Sequence, residues 1–228
     1  MVMRMNIFRR QFKLSLLISI KGSIRITLAA AFIIMGAMDA MAIEETTYKV
    51  VEKDNKFEIR DYASHILAET VVEGDLEGAG NKAFNMLFGY ISGDNRSRKK
   101  MAMTAPVSQQ PKGEKIQMTA PVGQWRVQKK WAVSFMMPSS YTLKTLPEPE
   151  NPNITLRQVP ARRMAAVRYS GFWSEKGYLR YKLELESWIQ ERGLTIMGDP
   201  LWARYNSPFT PWFLRRNEIL IPVDTATD

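Results

Sequence analysis

The sequence predicts an α+β fold: one curled antiparallel sheet, laid down by a half that is used twice, with a helix packed on each half. Three observations carry this. Short alternating segments are joined by tight turns, which favours antiparallel pairing over the long crossovers that a parallel sheet needs. The apolar period changes from two to 3.6 over residues 76–91 and again over 174–192. The order strands, helix, strands then recurs after a proline-rich link at 146–153.

Taken in order, Tyr48-Lys49-Val50-Val51-Glu52-Lys53 alternates, Asp54-Asn55 turns, and Lys56-Phe57-Glu58-Ile59-Arg60-Asp61-Tyr62 alternates again. These segments read as a β-hairpin, with Phe57, Ile59 and (imperfectly) Asp61 on one face. A third strand over 66–72 stops at Gly74-Asp75. Phe84, Leu87, Phe88 and Ile91 then fall at i, i+3, i+4 and i+7 beside Ala83, one apolar stripe of a helix that ends at Gly93. A basic loop follows, and after it an internal echo. Lys100-Met101-Ala102-Met103-Thr104-Ala105-Pro106-Val107 returns as Lys115-Ile116-Gln117-Met118-Thr119-Ala120-Pro121-Val122 across the turn Pro111-Lys112-Gly113-Glu114. The pair reads as a second hairpin, with its prolines near strand ends, where a missing N–H is tolerated. Residues 131–137 form another strand, ended by Pro138, and 146–153 an extended link. Strands over 154–159 and 164–169 restart the pattern. Ser174 is placed to cap a helix running to about 192, with Tyr178, Tyr181, Leu185, Trp188 and Ile189 on one face and Gly193 as its stop. Strands over 201–205 and 218–223 close the chain, separated by an apolar, proline-containing loop at 206–217.

Composition removes much chemistry. The 228 residues include no cysteine and one histidine, His65. Disulfides, thiolate metal sites and multi-histidine clusters are therefore excluded, and a serine triad has one base available to it. No G-x-S-x-G is present. The remaining enzymatic route is carboxylate chemistry, for which two of Glu58, Asp61 and Glu218 would have to converge in a cleft. The expectation is a binding protein, not an enzyme, and no metal site. The net charge of +9 is uneven: Arg4, Arg9, Arg10, Lys13, Lys21 and Arg25 face only Asp39 in the first 42 residues. The remainder is mildly basic, which disfavours nucleic acid as a partner.

The first 42 residues read as a signal peptide. A basic start precedes the apolar run 26–38, and Ala40-Met41-Ala42 offers a small-x-small cleavage pattern. The run is short for a spanning helix. The expected product is an exported, periplasmic protein with a single domain over 43–228; the alternative is anchoring by an uncleaved leader.

Several motifs together resemble the SOUL haem-binding family. Phe57-Glu58-Ile59-Arg60-Asp61-Tyr62 is similar to its "Y/F-E-I-R-x-Y" strand, and the two echoed segments to its "K-I-x-M-T-A-P-V" signature. Tyr169-Ser170-Gly171 resembles the "F-S-G" before the second helix. Ala203-Arg204-Tyr205-Asn206-Ser207-Pro208 and Leu214-Arg215-Arg216-Asn217-Glu218-Ile219 resemble its closing "A-x-Y-x-x-P" and "R-R-N-E-V/I". The matches are in order over about 46–223. The resemblance implies a distorted antiparallel β-barrel from a repeated half with two flanking helices, similar to small-molecule effector-binding domains. It also implies reversible, non-covalent binding of haem or a related tetrapyrrole in an apolar groove, against the first helix and the late loop, with basic residues near the propionates. The alternative is a binder of another apolar small molecule.

The candidate contacts follow from this. His65 is the one imidazole available to haem iron. The family's axial position, right after "E-I-R", is Asp61 here, so His65 is either a displaced ligand or an ordinary strand-edge histidine. Met101, Met103 and Met118 are thioether candidates, or gap-fillers in a core. Phe209 and Trp212 offer rings for a flat macrocycle, and Arg215 and Arg216 offer guanidiniums for carboxylates, or else pair with carboxylates of the protein. Lys82 lies where some members carry basic residues on the first helix, beside Asn81 and near Gly89, and Tyr62 and Tyr90 are further ligand contacts or else half-buried rings with the hydroxyl in water. The basic run 96–100 is a solvated face, or a grip for propionates or anionic lipid.

Overall fold

The computed structural model describes residues 43–98 and 113–224. Among them, a curled antiparallel sheet carries two helices on one face. The first hairpin is β1 (Tyr48–Asp54) and β2 (Phe57–Tyr62), turned by Asn55 at φ 53. β3 (His65–Val72) leads into α1 (Leu76–Ser92), which Asp75 caps by accepting from the Gly78 N–H at 2.6 Å. β4 (Asn95–Arg96) and β7 (Glu148–Pro149) form a separate two-stranded patch, so the proline-rich link is tied down. β5 (Val122–Val127) and β6 (Lys130–Met136) form a hairpin, and β8 (Ile154–Val159) and β9 (Arg162–Tyr169) precede α2 (Glu175–Glu191). Ser174 caps α2 through the Gly177 N–H. β10 (Thr195–Ile196), β11 (Leu201–Arg204) and β12 (Asn217–Asp224) complete the order.

The strands lie in the order β1-β2-β9-β12-β11-β5-β6-β3-β8. Each half is a strand, a helix and a hairpin: β3, α1, β5 and β6, then β9, α2, β11 and β12. The two halves meet at the β5–β11 pair, Trp202 opposite Gln124. The strand that precedes each half is exchanged: β2 pairs with β9, and β8 pairs with β3. Period-two alternation sorts the side chains. Ile66, Ala68, Val133, Phe135, Ala165, Val167, Ile219 and Ile221 face the helices and form the main core with Leu87, Leu185 and Ile189. Met164, Ala166, Ala203 and Leu220 face the other way.

Three expectations change. The second hairpin over the echo is not formed by residues 115–121. The Ala120 N–H goes to Glu44 O at 2.9 Å and the Ile116 N–H to Ile91 O at 2.8 Å, so their pairing is with other segments. The first copy of the echo, with Met101 and Met103, lies outside the described residues. β5, absent from the sequence reading, runs on from Pro121, with Gln124 inward. Finally, the buried stripe of α1 is turned from the expected one. Ala79, Gly80, Ala83, Leu87, Tyr90 and Ile91 are buried, whereas Phe88 is 48% exposed and stacks on Phe84. Small side chains let the helix backbone approach the sheet, and that close approach outweighs burial of one more ring.

Candidate functional site

The helix-free face of the sheet curls round a groove of about 440 Å³. Its apolar walls include Leu67, Trp125, Met136, Met164 and Leu220, drawn from β3, β5, β6, β9 and β12. Each belongs to the side of its strand that alternation turns away from the helices. A smaller hollow of about 290 Å³ shares Thr46, His65 and Met136 with the groove, so His65 stands on the wall between them.

The floor of this face is held by one ion network. Glu218, fully buried, accepts from Arg60 Nη1 at 2.7 Å, Arg60 Nη2 at 3.2 Å, Arg216 Nε at 2.9 Å and the Tyr205 hydroxyl at 2.9 Å. Burial alone would raise its pKa, but the two guanidiniums outweigh it and hold Glu218 below the ordinary carboxylate range. Arg60 also reaches Glu58 at 2.7 Å, and Arg163 holds Asp61 at 2.7 Å. Each of the three carboxylates considered for catalysis is thus paired with an arginine and kept ionised. None is held protonated as a general acid.

The rim carries both signs of charge, and one of its arginines stands without an ion pair among the described residues. Arg157 is paired with Glu69 at 2.8 Å and lies over the Trp125 ring. Arg162 has no ion pair among the described residues; burial and then the neighbouring Arg157 lower its pKa. Asp199 and Asp224 also line the groove. The His65 imidazole is pushed down from 6.5 by burial, and Arg162 and Arg157 add to this, while its Nδ1 contact with Ala63 O at 2.9 Å works the other way. With Nδ1–H donating to that carbonyl, Nε2 is the ring's free base. Iron-ligating histidines are oriented by this kind of contact.

Of the candidates read from the sequence, His65 and Tyr62 line this groove. The Tyr62 ring packs on Tyr48 at 5.0 Å, and its hydroxyl accepts from Arg60 Nη1 at 3.0 Å. Tyr90 is a core residue, 0% exposed, with its hydroxyl donating to Pro147 O at 2.9 Å, so it offers no surface to a ligand. Lys82 is exposed on α1, on the helix side of the sheet. Phe209 is 93% exposed, and Trp212, 50% exposed, stacks on Phe172 at 5.4 Å. Arg215 is committed to its own loop, donating to Thr210 O at 2.8 Å and Pro208 O at 2.7 Å, and lies over Trp173. Arg216 pairs with Glu218 and with Glu45 at 2.8 Å. Arg215 is thus held by carbonyls of the protein, and Arg216 takes the protein-carboxylate alternative. Met118 is part-exposed off the groove, and of the basic run Arg98 donates to Leu143 O at 3.3 Å. Reasoning from sequence missed Trp125, Arg157 and Arg162; the Gly-Gln-Trp-Arg-Val stretch of β5 was the available signal for the first.

Comparison with known proteins agrees with this architecture. The sequence pattern of the family described as SOUL heme-binding protein matches residues 43–222. Heme-binding protein 1 of Mus musculus is 24% identical over 150 residues, 65% of this chain and 74% of that protein. The C-terminal domain of EcmrR superposes with a TM-score of 0.54 at 9% identity, covering 78% of this chain and 98% of that one. A hydrolase from Listeria innocua superposes with a TM-score of 0.52 at 15% identity, covering 76% and 94%. At such identities the structural likeness speaks to the fold alone. With the family pattern spanning most of its length, the chain belongs to the SOUL haem-binding protein family.

Proposed function

We propose that the protein binds haem or a related tetrapyrrole reversibly in the groove on the helix-free face. The observation that carries this is the pairing, in one concavity, of apolar walls with an arginine, Arg162, that lacks a carboxylate partner among the described residues. A tetrapyrrole is flat, apolar and edged with carboxylates. Leu67 and Trp125 would lie against the ring, and Arg162, with Arg157 behind it, would hold a propionate. The residues fit a haem iron as well: neutral His65 presents one free nitrogen, and iron would supply an acceptor for it. The name of the family and of the mouse relative supports the same class of ligand. We further propose that residues 1–42 direct export and are removed after Ala42, leaving one periplasmic domain. N-terminal sequencing of the protein from the periplasmic fraction tests this; a mature protein retaining residues 1–42 overturns the cleavage.

A second reading places the macrocycle on the late loop, because Phe172, Phe209, Trp212, Phe213 and Leu214 are all exposed there. Titration of haemin and of metal-free protoporphyrin, followed at the Soret band, separates the two. The groove reading expects Arg162→Glu or Trp125→Ala to weaken both ligands about tenfold or more, and Phe209→Ser with Trp212→Ser to leave them unchanged. The reverse pattern favours the loop. His65→Ala should weaken haemin and not protoporphyrin. Absence of saturable binding of either ligand refutes tetrapyrrole binding.

A further inference from the structure

On the other face of the sheet, beneath the helices, three donors on strands β9 and β11 are buried without a hydrogen-bond partner among the described residues. Tyr169, Asn217 and Arg204 sit opposite one another on the adjacent strands β9, β12 and β11. The Asn217 amide is engaged at both ends, accepting from Trp173 Nε1 at 2.9 Å and donating to Gly171 O at 3.2 Å. Its neighbours are not. The Tyr169 hydroxyl, the Arg204 Nε–H and the Trp202 indole N–H, two residues before Arg204 on the same face, are all buried and unbonded. The indole N–H leans toward the Tyr169 oxygen without closing a hydrogen bond. A buried donor left in this state costs about 1–3 kcal/mol, and three together are a feature, not an accident of packing.

The charge of Arg204 sharpens this. Its one hydrogen bond among the described residues runs from Nη2 to Gln124 Oε1 at 3.1 Å, and Gln124 Nε2 is itself held by Leu76 O at 2.7 Å. No carboxylate pairs with Arg204 among the described residues, in contrast to Arg60 and Arg216 on the opposite face. Burial drives its pKa down to about 10. The guanidinium lies over the rings of Trp173 and Trp202, at 5.3 and 5.1 Å. Tyr181 stacks on Tyr169 at 3.9 Å, and Tyr178 packs on Trp202. α1 closes over the cation at Gly80, where a Cβ would come within 3.3 Å of Arg204 Nη2 and 3.0 Å of Gln124 Oε1. The site is early in α1, whose N-terminal partial charge is also positive.

We propose that Arg204, Tyr169 and Trp202 form an anion site for a carboxylate, carried either by a small organic acid or by one arm of a larger ligand. A carboxylate has two oxygens and about four lone-pair directions, enough for three donors, one of them charged. Rings on either side would take a short apolar tail. The site lies on the opposite face from the tetrapyrrole groove and stands or falls independently of it.

The test is the thermal midpoint and tryptophan fluorescence of the protein titrated with acetate and with benzoate, against chloride at equal ionic strength. Both carboxylates are expected to stabilise the wild type saturably, by a factor of about 100 in the folding constant at a hundredfold excess over Kd. Arg204→Met should abolish this response while being at least as stable as the wild type in anion-free buffer, because it removes an unpaired buried charge. Tyr169→Phe, which keeps the ring, should weaken acetate about threefold or more, and it carries the test if Arg204→Met fails to fold. Haemin affinity should be the same in all three proteins. The proposal is overturned if acetate acts no differently from chloride, if Arg204→Met and Tyr169→Phe keep the full response, or if the midpoint does not move, leaving the donors to water.

Discussion

Glu218→Gln is the substitution that most directly probes what holds the helix-free face together. The side chain is fully buried and accepts four hydrogen bonds, three of them from Arg60 and Arg216. Glutamine keeps the shape but has one oxygen, so two of the four donors face an amide NH₂ that also donates. Arg60, itself 2% exposed, retains Glu58 but loses its buried counter-ion. Removing one partner of such a pair costs about 3–5 kcal/mol. For a chain of this size each kcal/mol is worth about 2–4 °C, so the midpoint should fall by about 6–20 °C. Urea unfolding followed by tryptophan fluorescence measures this, with the slope unchanged and the midpoint shifted. The pH dependence supplies the check. Because the folded-state pKa of Glu218 lies below 4.5, its contribution is complete above the unfolded value and is lost as pH falls through the folded one. The gap between wild type and variant should therefore be constant near neutrality and narrow in acid, where the protonated wild-type side chain becomes an isostere of glutamine. A cost under about 1 kcal/mol, or a gap that stays constant down to acid unfolding, would refute the reasoning.

Three further outcomes follow from the same geometry. Tyr90→Phe should cost about 1–2 kcal/mol, since it strands the buried Pro147 carbonyl, and should leave haemin titration unchanged; weakened binding would return Tyr90 to a ligand site. Ser174→Ala removes the side-chain acceptor of the Gly177 N–H and should cost about 1 kcal/mol in urea unfolding, with glycine there costing only a few tenths. The His65 ring, followed by its proton resonances, should titrate below 6.5, and Arg162→Ala should move that value upward. A pKa at or above 6.5, or one indifferent to Arg162, would refute the assignment of His65 as a neutral base.

Much of this protein was legible residue by residue. The period of two marked β1 and β2, short apolar runs between turn residues marked β3, β6, β8, β9, β11 and β12, the period of 3.6 marked both helices, and Ser174 and Gly193 bracketed α2. These are local properties, because the pleat and the helical turn dictate which side chains share a face whatever lies beyond them. The ordered motifs from Phe57 to Ile219 likewise carried the family. The absence of cysteine and the single histidine narrowed the chemistry before any element was placed.

Neighbourhood is a different kind of information. Alternation says that Ile59 and Ala165 each have a buried side, but not that β2 crosses to pair with β9 while β8 crosses to β3. That exchange depends on which edge of the curled sheet each strand can reach. It is also what collects Leu67, Trp125, Arg157, Arg162 and Leu220 round one groove from segments more than 150 residues apart. The partners of the paired arginines follow the same rule: Arg215 and Arg216 look available in the chain, and the fold sets Thr210 O, Pro208 O, Glu218 and Glu45 against them. Arg204, the second residue of a closing motif and unremarkable in the chain, becomes conspicuous because the strands opposite and the helix above it bring no carboxylate among the described residues. A side chain's charge is written in the sequence, but whether that charge is compensated depends on elements that meet only when the sheet has closed.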